Sequence, residues 1–363
     1  MNGSRTKIAI ITSSLGIGGA ERAAAQLSVM LDELGYDVHI VSVLDHIEYE
    51  YRGKLLNLGK LKNADDSTIG RLKRLLHLKK YLDSHDFHRI IDCRTRTITW
   101  SELIISRWLY EPAKTIYMVH SYKIDFYFPQ NKTIAKYIYR KSPYIVAVSD
   151  DIKSAIESKY GYKNVIRIYN PVDENLFDIK VNATVADRYI LSYGRIDDEV
   201  KNFSLLIESY AKSELPAQNV LLYIMGDGKD KQMLVDKVSS LELSEKIIFL
   251  PRRENPFAIV KSALFTVLTS RFEGFPLAIV ESLALGVPVV SVDCKSGPRE
   301  LITHEQNGLL VENNNARALA DAMNVMLSDT VLYDRCKANA LDSVDHLSVK
   351  NIAPQWNQIL SQK

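Results

Sequence analysis

Short runs of apolar and β-branched residues alternate along this chain with longer segments in which apolar residues recur every three or four positions. The short runs predict buried strands, and the longer segments predict amphipathic helices. In the first half the predicted strands are Lys7–Thr12, Val38–Val43, Arg89–Asp92, Lys114–Val119, Tyr144–Val148 and Val165–Ile168. In the second half they are Tyr189–Tyr193, Val220–Met225, Ile247–Leu250, Phe265–Leu268, Val289–Val292 and Leu309–Val311. The clearest predicted helices are Ala20–Leu34 and Ile69–Leu82. This alternation predicts an α/β fold whose parallel sheets carry helices on both faces.

The length of 363 residues exceeds what one hydrophobic core usually organises, so we expect two domains. The turn at residues 169–173 lies between the two sets of strands and is the predicted hinge. Residues 174–187 follow it as a polar connection. No apolar run is long enough to span a membrane, and the N-terminus has no signal-peptide pattern. Three cysteines without a C-x-x-C pair favour a reducing cytosol and give no indication of a zinc site.

Charge is distributed unevenly, although the net charge is only +2. Residues 1–170 contain 26 Lys and Arg against 18 Asp and Glu, whereas residues 171–363 contain 20 against 26. A basic first half indicates an anionic partner, such as a phospholipid surface or a substrate that carries pyrophosphate. No nucleic-acid-binding module is recognisable, so nucleic acid is not an expected partner.

The most informative segment of the second half holds two glutamates eight positions apart, Glu273 and Glu281. Glu273 follows a predicted strand, at the end where open α/β sheets hold their ligands. Pro276 suits the first position of the next helix, which places Glu281 about one and a half turns into that helix. Backbone N–H groups at this helix start could bind a phosphate. The alternative interpretation is a pair of solvated charges.

Two cations follow the first predicted strand of the second half. Arg195 lies at the strand end, and Lys201–Asn202–Phe203 is predicted to open the next helix, so both cations can reach one diphosphate. Taken alone, two such cations would most often be solvated surface charges. Gly226 follows the next strand, where it either permits close backbone approach to a ligand or forms an ordinary turn. Arg252 follows a further strand and could stack on a base.

The first half also contains candidate site residues. A glycine-rich turn at residues 14–21 follows the first strand and opens the first helix, where backbone N–H groups bind phosphate. Glu21 occupies the place of the third glycine of the dinucleotide fingerprint G-x-G-x-x-G, which argues against a dehydrogenase. His120 ends another predicted strand, and an isolated histidine there can be structural or can belong to the site.

Several of these motifs occur together in one known family. The segment Arg271–Glu281 resembles the E-x7-E signature of retaining GT-B glycosyltransferases, most closely those of family 4. Gly18–Gly19–Ala20–Glu21 is similar to the G-G-A-E turn of that family. Gly194–Arg195 and Lys201–Asn202 are similar to its G-R…K-N pattern. The resemblance extends from the first glycine turn to the last helix.

The resemblance implies roles for individual residues. Glu273 would contact the transferred sugar, and Glu281 would bind the nucleotide ribose. Arg195 and Lys201 would bind the donor diphosphate and, with Glu273 and His120, form the catalytic set. The other positions assigned to the donor are Gly18, Gly19, Gly226, Arg252, Phe275, Pro276 and Leu277.

The resemblance also implies the architecture. The GT-B fold has two Rossmann-like domains with parallel sheets that face each other across a cleft, and its last helix crosses back to the first domain. Residues 1–170 together with 347–363 would bind the acceptor, and residues 171–346 would bind the nucleotide sugar. Closure about the turn at Asn170–Pro171 would bring the two domains onto the donor.

The implied reaction is the transfer of a hexose or N-acetylhexosamine, with retention of configuration, from a nucleotide sugar that we expect to be UDP-linked. The implied acceptor is a saccharide, such as a lipid-linked or surface-polysaccharide intermediate. The segment Asp293–Glu300 is similar to a form found in bacterial transferases that act on lipid-linked saccharides. Since the sequence has no D-x-D motif, neither a metal nor another cofactor is expected. The alternatives are a nucleotide-sugar epimerase or hydrolase of the same architecture and a non-catalytic nucleotide-binding protein.

A basic amphipathic helix is predicted at residues 69–82. Its leucines Leu72, Leu75, Leu76 and Leu82 are expected on one face, and the flanking cations are Arg71, Lys73, Arg74, Lys79 and Lys80. Such a helix can pack its apolar stripe on the sheet while its cations are solvated. In the acceptor-side domain it could instead bind a lipid diphosphate or an anionic membrane surface. We therefore expect a cytoplasmic protein with peripheral contact at the inner face of the cytoplasmic membrane.

Overall fold

The chain forms two compact units in a computed structural model that describes residues 5–16, 18–177, 179 and 188–362. One unit comprises residues 1–171 and 349–363, and the other comprises residues 172–348. Each unit has its own parallel sheet. The predicted hinge turn lies at the point where the chain passes from the first unit to the second. The expected polar connection at residues 174–187 lies for the most part outside the described residues.

The first unit is built on a seven-stranded parallel sheet with the strand order β3-β2-β1-β4-β5-β6-β7. Its strands are β1 Lys7–Thr12, β2 Asp37–Ser42, β3 Lys54–Asn57, β4 Arg89–Asp92, β5 Thr115–Val119, β6 Ile145–Ala147 and β7 Val165–Arg167. In register, Ile10 of β1 lies between Ile40 of β2 and Ile91 of β4. All three are fully buried, as expected for strands covered on both faces.

The edge strand β3 was not predicted from the sequence. It is short, and none of its four residues is fully buried. A strand with one free edge and little burial lacks the apolar run that identifies a central strand. The six other strands of this sheet lie within one residue of the predicted bounds.

The helices of the first unit follow the strands in the expected alternation. They are α1 Gly19–Glu33, α2 Leu58–Ala64, α3 Thr68–His85, α4 Thr99–Ile104, α5 Lys132–Tyr139 and α6 Asp150–Tyr160. A π-helical turn, Ile105–Leu109, continues α4, and short 3₁₀ turns occur at Pro112–Lys114 and Ile124–Phe126. Side-chain caps fix the helix starts, since the Ser67 hydroxyl accepts from the N–H of Gly70 and the Ser149 hydroxyl from that of Ile152.

The second unit has a six-stranded parallel sheet with the order β10-β9-β8-β11-β12-β13. Its strands are β8 Tyr189–Tyr193, β9 Leu221–Met225, β10 Ile247–Leu250, β11 Thr266–Leu268, β12 Val289–Val292 and β13 Gly308–Val311. All six predicted strands are present, each within one residue of the expected bounds. The predicted α/β fold with two parallel sheets is therefore confirmed.

The helices of the second unit cover both faces of this sheet. They are α7 Asp198–Lys201, α8 Phe203–Lys212, α9 Lys231–Ser240, α10 Phe257–Ser262, α11 Leu277–Ala284, α12 Pro298–Leu301, α13 Ala316–Ser328 and α14 Thr330–Ala340. Two 3₁₀ segments, Glu174–Leu176 and Asp342–Leu347, complete the unit. The core combines β8, β9, β11 and β12 with buried residues of α8 and α13, including Phe203, Leu206 and Met323.

The last helix, α15 Val349–Leu360, packs on the first unit. The Tyr36 hydroxyl donates to Asn357 Oδ1 at 2.7 Å, and a ring nitrogen of His88 contacts the carbonyl of Leu360 at 2.7 Å. The expected return of this helix to the first domain is confirmed. The helix continues through Pro354. A proline removes one backbone hydrogen-bond donor from the helix. The helix side that carries the buried Trp356 nevertheless holds the helix in place.

Among the described residues, no helix has both the length and the apolar character that a membrane span requires.

Candidate active site

Two of the predicted donor residues, Arg195 and Lys201, follow strand β8. Lys201 is the last residue of the short helix α7, and Asn202, with φ of 53°, separates it from α8. The expectation that Lys201–Asn202–Phe203 opens the next helix is confirmed, because α8 begins at Phe203 with Asn202 as its N-cap. The left-handed conformation of Asn202 ends α7 before α8 begins, and asparagine is among the residues that adopt it most readily.

Lys201 forms an ion pair with Glu273, the first glutamate of the E-x7-E segment. The Lys201 Nζ lies 2.6 Å from Glu273 Oε1, and the Ser270 hydroxyl donates to the same oxygen at 2.6 Å. The exposed fractions of the two side chains are 24% for Lys201 and 11% for Glu273. A carboxylate that accepts two short hydrogen bonds is held in one orientation. The two residues, 72 positions apart, thus form one charged pair at the carboxyl edge of the sheet.

Glu281, the second glutamate, lies in α11 and is only 6% exposed. The Tyr193 hydroxyl lies 2.9 Å from Glu281 Oε2 and 3.1 Å from the carbonyl oxygen of Ala278. The alternative of a solvated Glu281 is therefore wrong. A buried carboxylate is retained where it has polar partners, and Tyr193 at the end of β8 is one.

The start of α11 is fixed by the loop that follows β12. The helix begins at Leu277, and Pro276 is its N-cap rather than its first helical residue. A Cβ atom on Gly297 would lie 2.4 Å from Pro276 Cδ, and Gly297 has φ of 101°. The Ser296 hydroxyl donates to the carbonyl of Gly274 at 2.8 Å. Phe275 is buried, so these contacts hold the segment between the two glutamates rigidly.

Gly226 packs against the loop that carries Arg195. A Cβ atom on Gly226 would lie 1.9 Å from the carbonyl oxygen of Gly194, and its φ is 156°. No other residue type fits there without movement of one loop. The Arg195 side chain is exposed and has no ion pair among the described residues. Arg252 is also exposed, and its backbone N–H donates to the Asp227 carboxylate at 3.1 Å.

The first unit places Gly18 and Gly19 at the start of α1. Gly18 is the N-cap and Gly19 the first helical residue, and both are exposed. Ile17, which belongs to the same predicted turn, lies outside the described residues. The turn follows the carboxyl end of β1, as the sequence predicts.

His120 follows β5 on the same edge of the first sheet. Both of its ring nitrogens are covered, and neither has a hydrogen-bond partner among the described residues. Burial, and next the positive charge of Arg96, lower the pKa of His120 to about 4. The imidazole is therefore neutral near pH 7.

The predicted basic helix is α3, and two of its leucines differ from expectation. Leu82 is buried and Leu75 packs on the core, but Leu72 and Leu76 are 55% and 50% exposed. The prediction of one common leucine face is thus wrong. The sheet covers only the side of α3 that carries Leu75, Leu78 and Leu82, so the side that carries Leu72 and Leu76 meets solvent.

The five predicted cations of α3 differ in their partners. Arg74 Nη2 lies 2.9 Å and Arg71 Nε 3.7 Å from Asp66 Oδ1. Lys79 pairs with Asp83 at 2.5 Å. Lys73 and Lys80 are exposed.

Tyr193 and Ser270 contact the two glutamates but were not predicted as site residues. Each lies at or just after the end of a strand that the sequence predicts, β8 for Tyr193 and β11 for Ser270. A hydroxyl at the carboxyl end of a parallel strand is the signal that could have identified them.

Two family models match consecutive parts of the chain. The model described as "Glycosyltransferase Family 4" matches residues 17–176, and the model described as "Glycosyl transferases group 1" matches residues 173–342. Together they span both units.

Curated relatives match over nearly the whole chain. One, from Campylobacter jejuni, is N-acetylgalactosamine-N,N'-diacetylbacillosaminyl-diphospho-undecaprenol 4-alpha-N-acetylgalactosaminyltransferase. It is 29% identical over 92% of this chain and 93% of its own length. Another, the amylovoran biosynthesis glycosyltransferase AmsD of Erwinia amylovora, is 23% identical over 95% of this chain and 96% of its own.

Solved structures share the fold. Anabaena HepE in complex with UDP superposes with a TM-score of 0.77 at 19% identity, and covers 98% of this chain and 100% of its own. TarM of S. aureus, in complex with UDP and two other ligands, reaches 0.79 at 15% identity over the same shares. At such identities the likeness shows the fold alone. With both family models matched and this fold shared along its length, the chain belongs to the family 4 glycosyltransferases of the GT-B fold.

Proposed function

We propose that this glycosyltransferase moves a hexose or N-acetylhexosamine from a UDP-linked sugar, with retention of configuration, to a lipid-linked or surface-polysaccharide saccharide. The observation that carries the proposal is the Lys201–Glu273 pair, which a second hydrogen bond from Ser270 holds in place. We assign donor binding to residues 171–346 and acceptor binding to residues 1–170 with 347–363.

The donor assignment is supported by the charges at the carboxyl edge of the second sheet. Lys201 and Arg195 follow one strand and supply positive charge for a diphosphate. Glu281 is buried and presents a carboxylate of the kind that hydrogen-bonds ribose hydroxyls. UDP is bound by the structural neighbours HepE and TarM, which supports a uridine nucleotide.

The proposed chemistry needs no covalent intermediate. The acceptor hydroxyl attacks the anomeric carbon from the face of the leaving group, the bond to the diphosphate breaks, and a phosphate oxygen takes the hydroxyl proton. Lys201 and Arg195, rather than a metal, stabilise the charge that develops on the leaving diphosphate. Glu273 orients the sugar, since its carboxylate already accepts hydrogen bonds from Lys201 and Ser270.

The acceptor assignment is supported by the curated relatives. Two from Campylobacter jejuni are named for saccharides on diphospho-undecaprenol or PP-undecaprenol. A lipid-linked acceptor requires contact with a membrane. Helix α3 presents Ile69, Leu72 and Leu76 to solvent with exposed fractions of 66%, 55% and 50%, beside Lys73 and Lys80. We propose that this face binds anionic lipid at the inner face of the cytoplasmic membrane.

Flotation with vesicles of anionic phospholipid tests the membrane contact. At low salt the parent protein is expected to float with the vesicles. The variant Leu72→Glu, which places a charge on the exposed face of α3, is expected to remain at the bottom of the gradient. Val331→Glu, at a position that is 74% exposed in α14, is the matched control and should float like the parent. A parent protein that stays at the bottom at low salt contradicts the membrane contact.

A panel of nucleotide sugars tests the donor assignment. UDP-N-acetylgalactosamine, UDP-N-acetylglucosamine, UDP-galactose, UDP-glucose and GDP-mannose are compared for thermal stabilisation and slow hydrolysis. A UDP-sugar is expected to raise the melting temperature most, because a ligand that binds only the native state stabilises it. NMR of the anomeric proton in the transferred sugar then tests retention. An inverted product, or an epimerised free donor without any transfer, contradicts the proposal.

A further inference from the structure

The first unit contains a cavity of about 380 Å³ at the carboxyl ends of β1, β2 and β4. Helices α2 and α3 and the π-helical turn enclose it, and its walls are mostly aliphatic: Ile11, Val43, Leu58, Leu75, Leu78 and Leu109. Its volume lies within the range of about 300–1,000 Å³ that is typical of small-molecule sites. The cavity lies at the carboxyl edge of the first sheet, the edge at which the glycine turn follows β1 and His120 follows β5. Its position therefore suits a ligand of this unit.

Cations line the same cavity. They are Lys62, Arg71, Arg74 and Arg94, and Asp66 is the one carboxylate in the lining. The charge of Arg94 is already balanced, because its Nη2 lies 2.8 Å from Asp92 and 3.5 Å from Glu102. Lys62 has no ion pair among the described residues. The lining thus has three further cations and one carboxylate, and Arg74 also donates from Nη1 to the carbonyl of Asp65.

Asp66 occupies a position that an external anion could take. Its Oδ1 lies 2.9 Å from Arg74 Nη2 and 3.7 Å from Arg71 Nε, and its side chain is 49% exposed. Two guanidinium groups that converge on one oxygen form the geometry that binds phosphate. A half-exposed carboxylate can leave such a position at little cost, since a surface ion pair contributes little to stability.

We propose that this cavity binds the phosphate groups and the adjoining hydrocarbon chain of the lipid-linked acceptor, with Asp66 holding the phosphate position until the acceptor arrives. The proposal rests on the acceptor assignment above. An aliphatic wall suits a hydrocarbon chain and offers a saccharide few hydrogen-bond partners. The excess positive charge at the rim complements a diphosphate. The chain would then continue past Leu72 and Leu76 towards the membrane.

Calorimetric titration of the whole protein with soluble prenyl diphosphates tests the cavity. Farnesyl diphosphate, geranyl diphosphate and inorganic pyrophosphate present the same head with decreasing chain length. Each methylene removed from water strengthens binding by about fourfold, so geranyl diphosphate should bind at least about tenfold more weakly than farnesyl diphosphate. Inorganic pyrophosphate should be the weakest of the three. Equal affinity for all three would overturn the proposal.

Two variants test the rim. Arg71→Ala, at a side chain that is 67% exposed, should weaken farnesyl diphosphate binding by at least about tenfold. Asp66→Asn should strengthen it by about threefold or more, because the internal competitor is lost. Lys60→Ala on α2 and Asp86→Asn after α3 lie outside the cavity lining and serve as controls with unchanged affinity. An Asp66→Asn variant that binds more weakly, or an Arg71→Ala variant that binds normally, overturns the proposal.

Nucleotide-sugar binding separates this proposal from the proposed function. Thermal stabilisation by UDP-sugars is measured on the parent and on both rim variants, and it should be the same in all three. If UDP-sugars stabilise the parent but farnesyl diphosphate does not bind, the cavity proposal fails alone. If farnesyl diphosphate binds with the expected chain dependence but no nucleotide sugar does, the donor proposal fails and the cavity stands as a prenyl-phosphate site.

Discussion

The two units differ in how they build their candidate sites. In the second unit, polar side chains near the carboxyl edge of the sheet contact each other directly, as Lys201 does with Glu273 and Tyr193 with Glu281. In the first unit, an aliphatic cavity is surrounded by cations from α2 and α3, and one of their counter-ions is the half-exposed Asp66. Fixed polar contacts suit a reacting sugar diphosphate, whereas an apolar cavity suits binding of a chain. This difference supports the proposed division of labour, in which the second unit binds the donor and the first unit binds the acceptor.

The largest effect is expected from loss of the carboxylate at Glu273. Glu273→Ala should lower kcat by about 10²- to 10³-fold, because the sugar loses a fixed orienting group and Lys201 loses its partner. A kinetic assay with UDP-sugar and a lipid-linked acceptor measures this, and circular dichroism should show an unchanged fold. Glu214→Ala, at an exposed position in the same unit, is the control with parental kcat. A Glu273→Ala variant with near-parental turnover would remove Glu273 from the chemistry.

The packing of the donor-side loops predicts the largest effect on stability. Gly226→Ala should lower the free energy of unfolding by about 2–4 kcal/mol, since its Cβ would lie 1.9 Å from the Gly194 carbonyl oxygen. Urea denaturation measures this change. Gly161→Ala is the matched control: its φ is also positive, at 69°, but no atom lies within 4 Å of the added Cβ. The control should cost about 1 kcal/mol, the penalty for the left-handed conformation alone. Equal costs for both variants would show that the loops move apart freely.

A smaller effect is expected at the buried glutamate. Glu281→Gln should raise the KM for the nucleotide sugar by about tenfold and leave kcat within about threefold, because a hydrogen bond to a charged group is worth about 1.5–3 kcal/mol. Tyr193→Phe should have the same sign and a smaller size, since it removes only the hydroxyl that fixes Glu281. Steady-state kinetics with varied donor separates KM from kcat. A change in kcat alone would place Glu281 in the chemical step instead.

The smallest effect concerns pH. The pKa of His120 is lowered to about 4 by burial and by Arg96, whereas it is near 6.5 in an unfolded chain. The native state therefore binds fewer protons than the unfolded state between these values, and stability falls as the pH decreases from 6.5 towards 4. His39 is shifted in the same direction, mainly by burial, so the informative quantity is the difference between parent and variant. His120→Asn should make the melting temperature less dependent on pH between 6.5 and 4. The same dependence in parent and variant would contradict the lowered pKa of His120.

Much of the fold could be predicted because the strands of a parallel sheet are apolar on both faces. In the sequence they are therefore recognisable as short runs of apolar residues. The second unit contains six such strands, and all were predicted within one residue. Strand β3 was missed because an edge strand with partial burial lacks that signal. The short helix α7 and its break at Asn202 were missed for a similar reason, since the break depends on one backbone conformation that leaves no trace in the apolar pattern.

The site could be predicted only in part. Sequence motifs predicted Glu273, Lys201 and Glu281 as site residues, but not that Lys201 contacts Glu273 or that Tyr193 contacts Glu281. Such pairs join residues many positions apart, and only the strand order brings them together. The cavity of the first unit could not be predicted at all, because its lining comes from six separate elements and has no motif. The same limit applied to α3, whose exposed face depends on where the sheet ends.

A double-mutant cycle on Lys201 and Glu273 tests the central claim most directly. kcat/KM for the UDP-sugar is measured for the parent, Lys201→Ala, Glu273→Ala and the double variant. If the two residues serve one bound donor, each single variant should lose at least about 10²-fold, and the double variant should lose little more than the worse single variant. Losses that multiply, or a Lys201→Ala variant with near-parental kcat/KM, would show that the pair does not act as one unit on the donor.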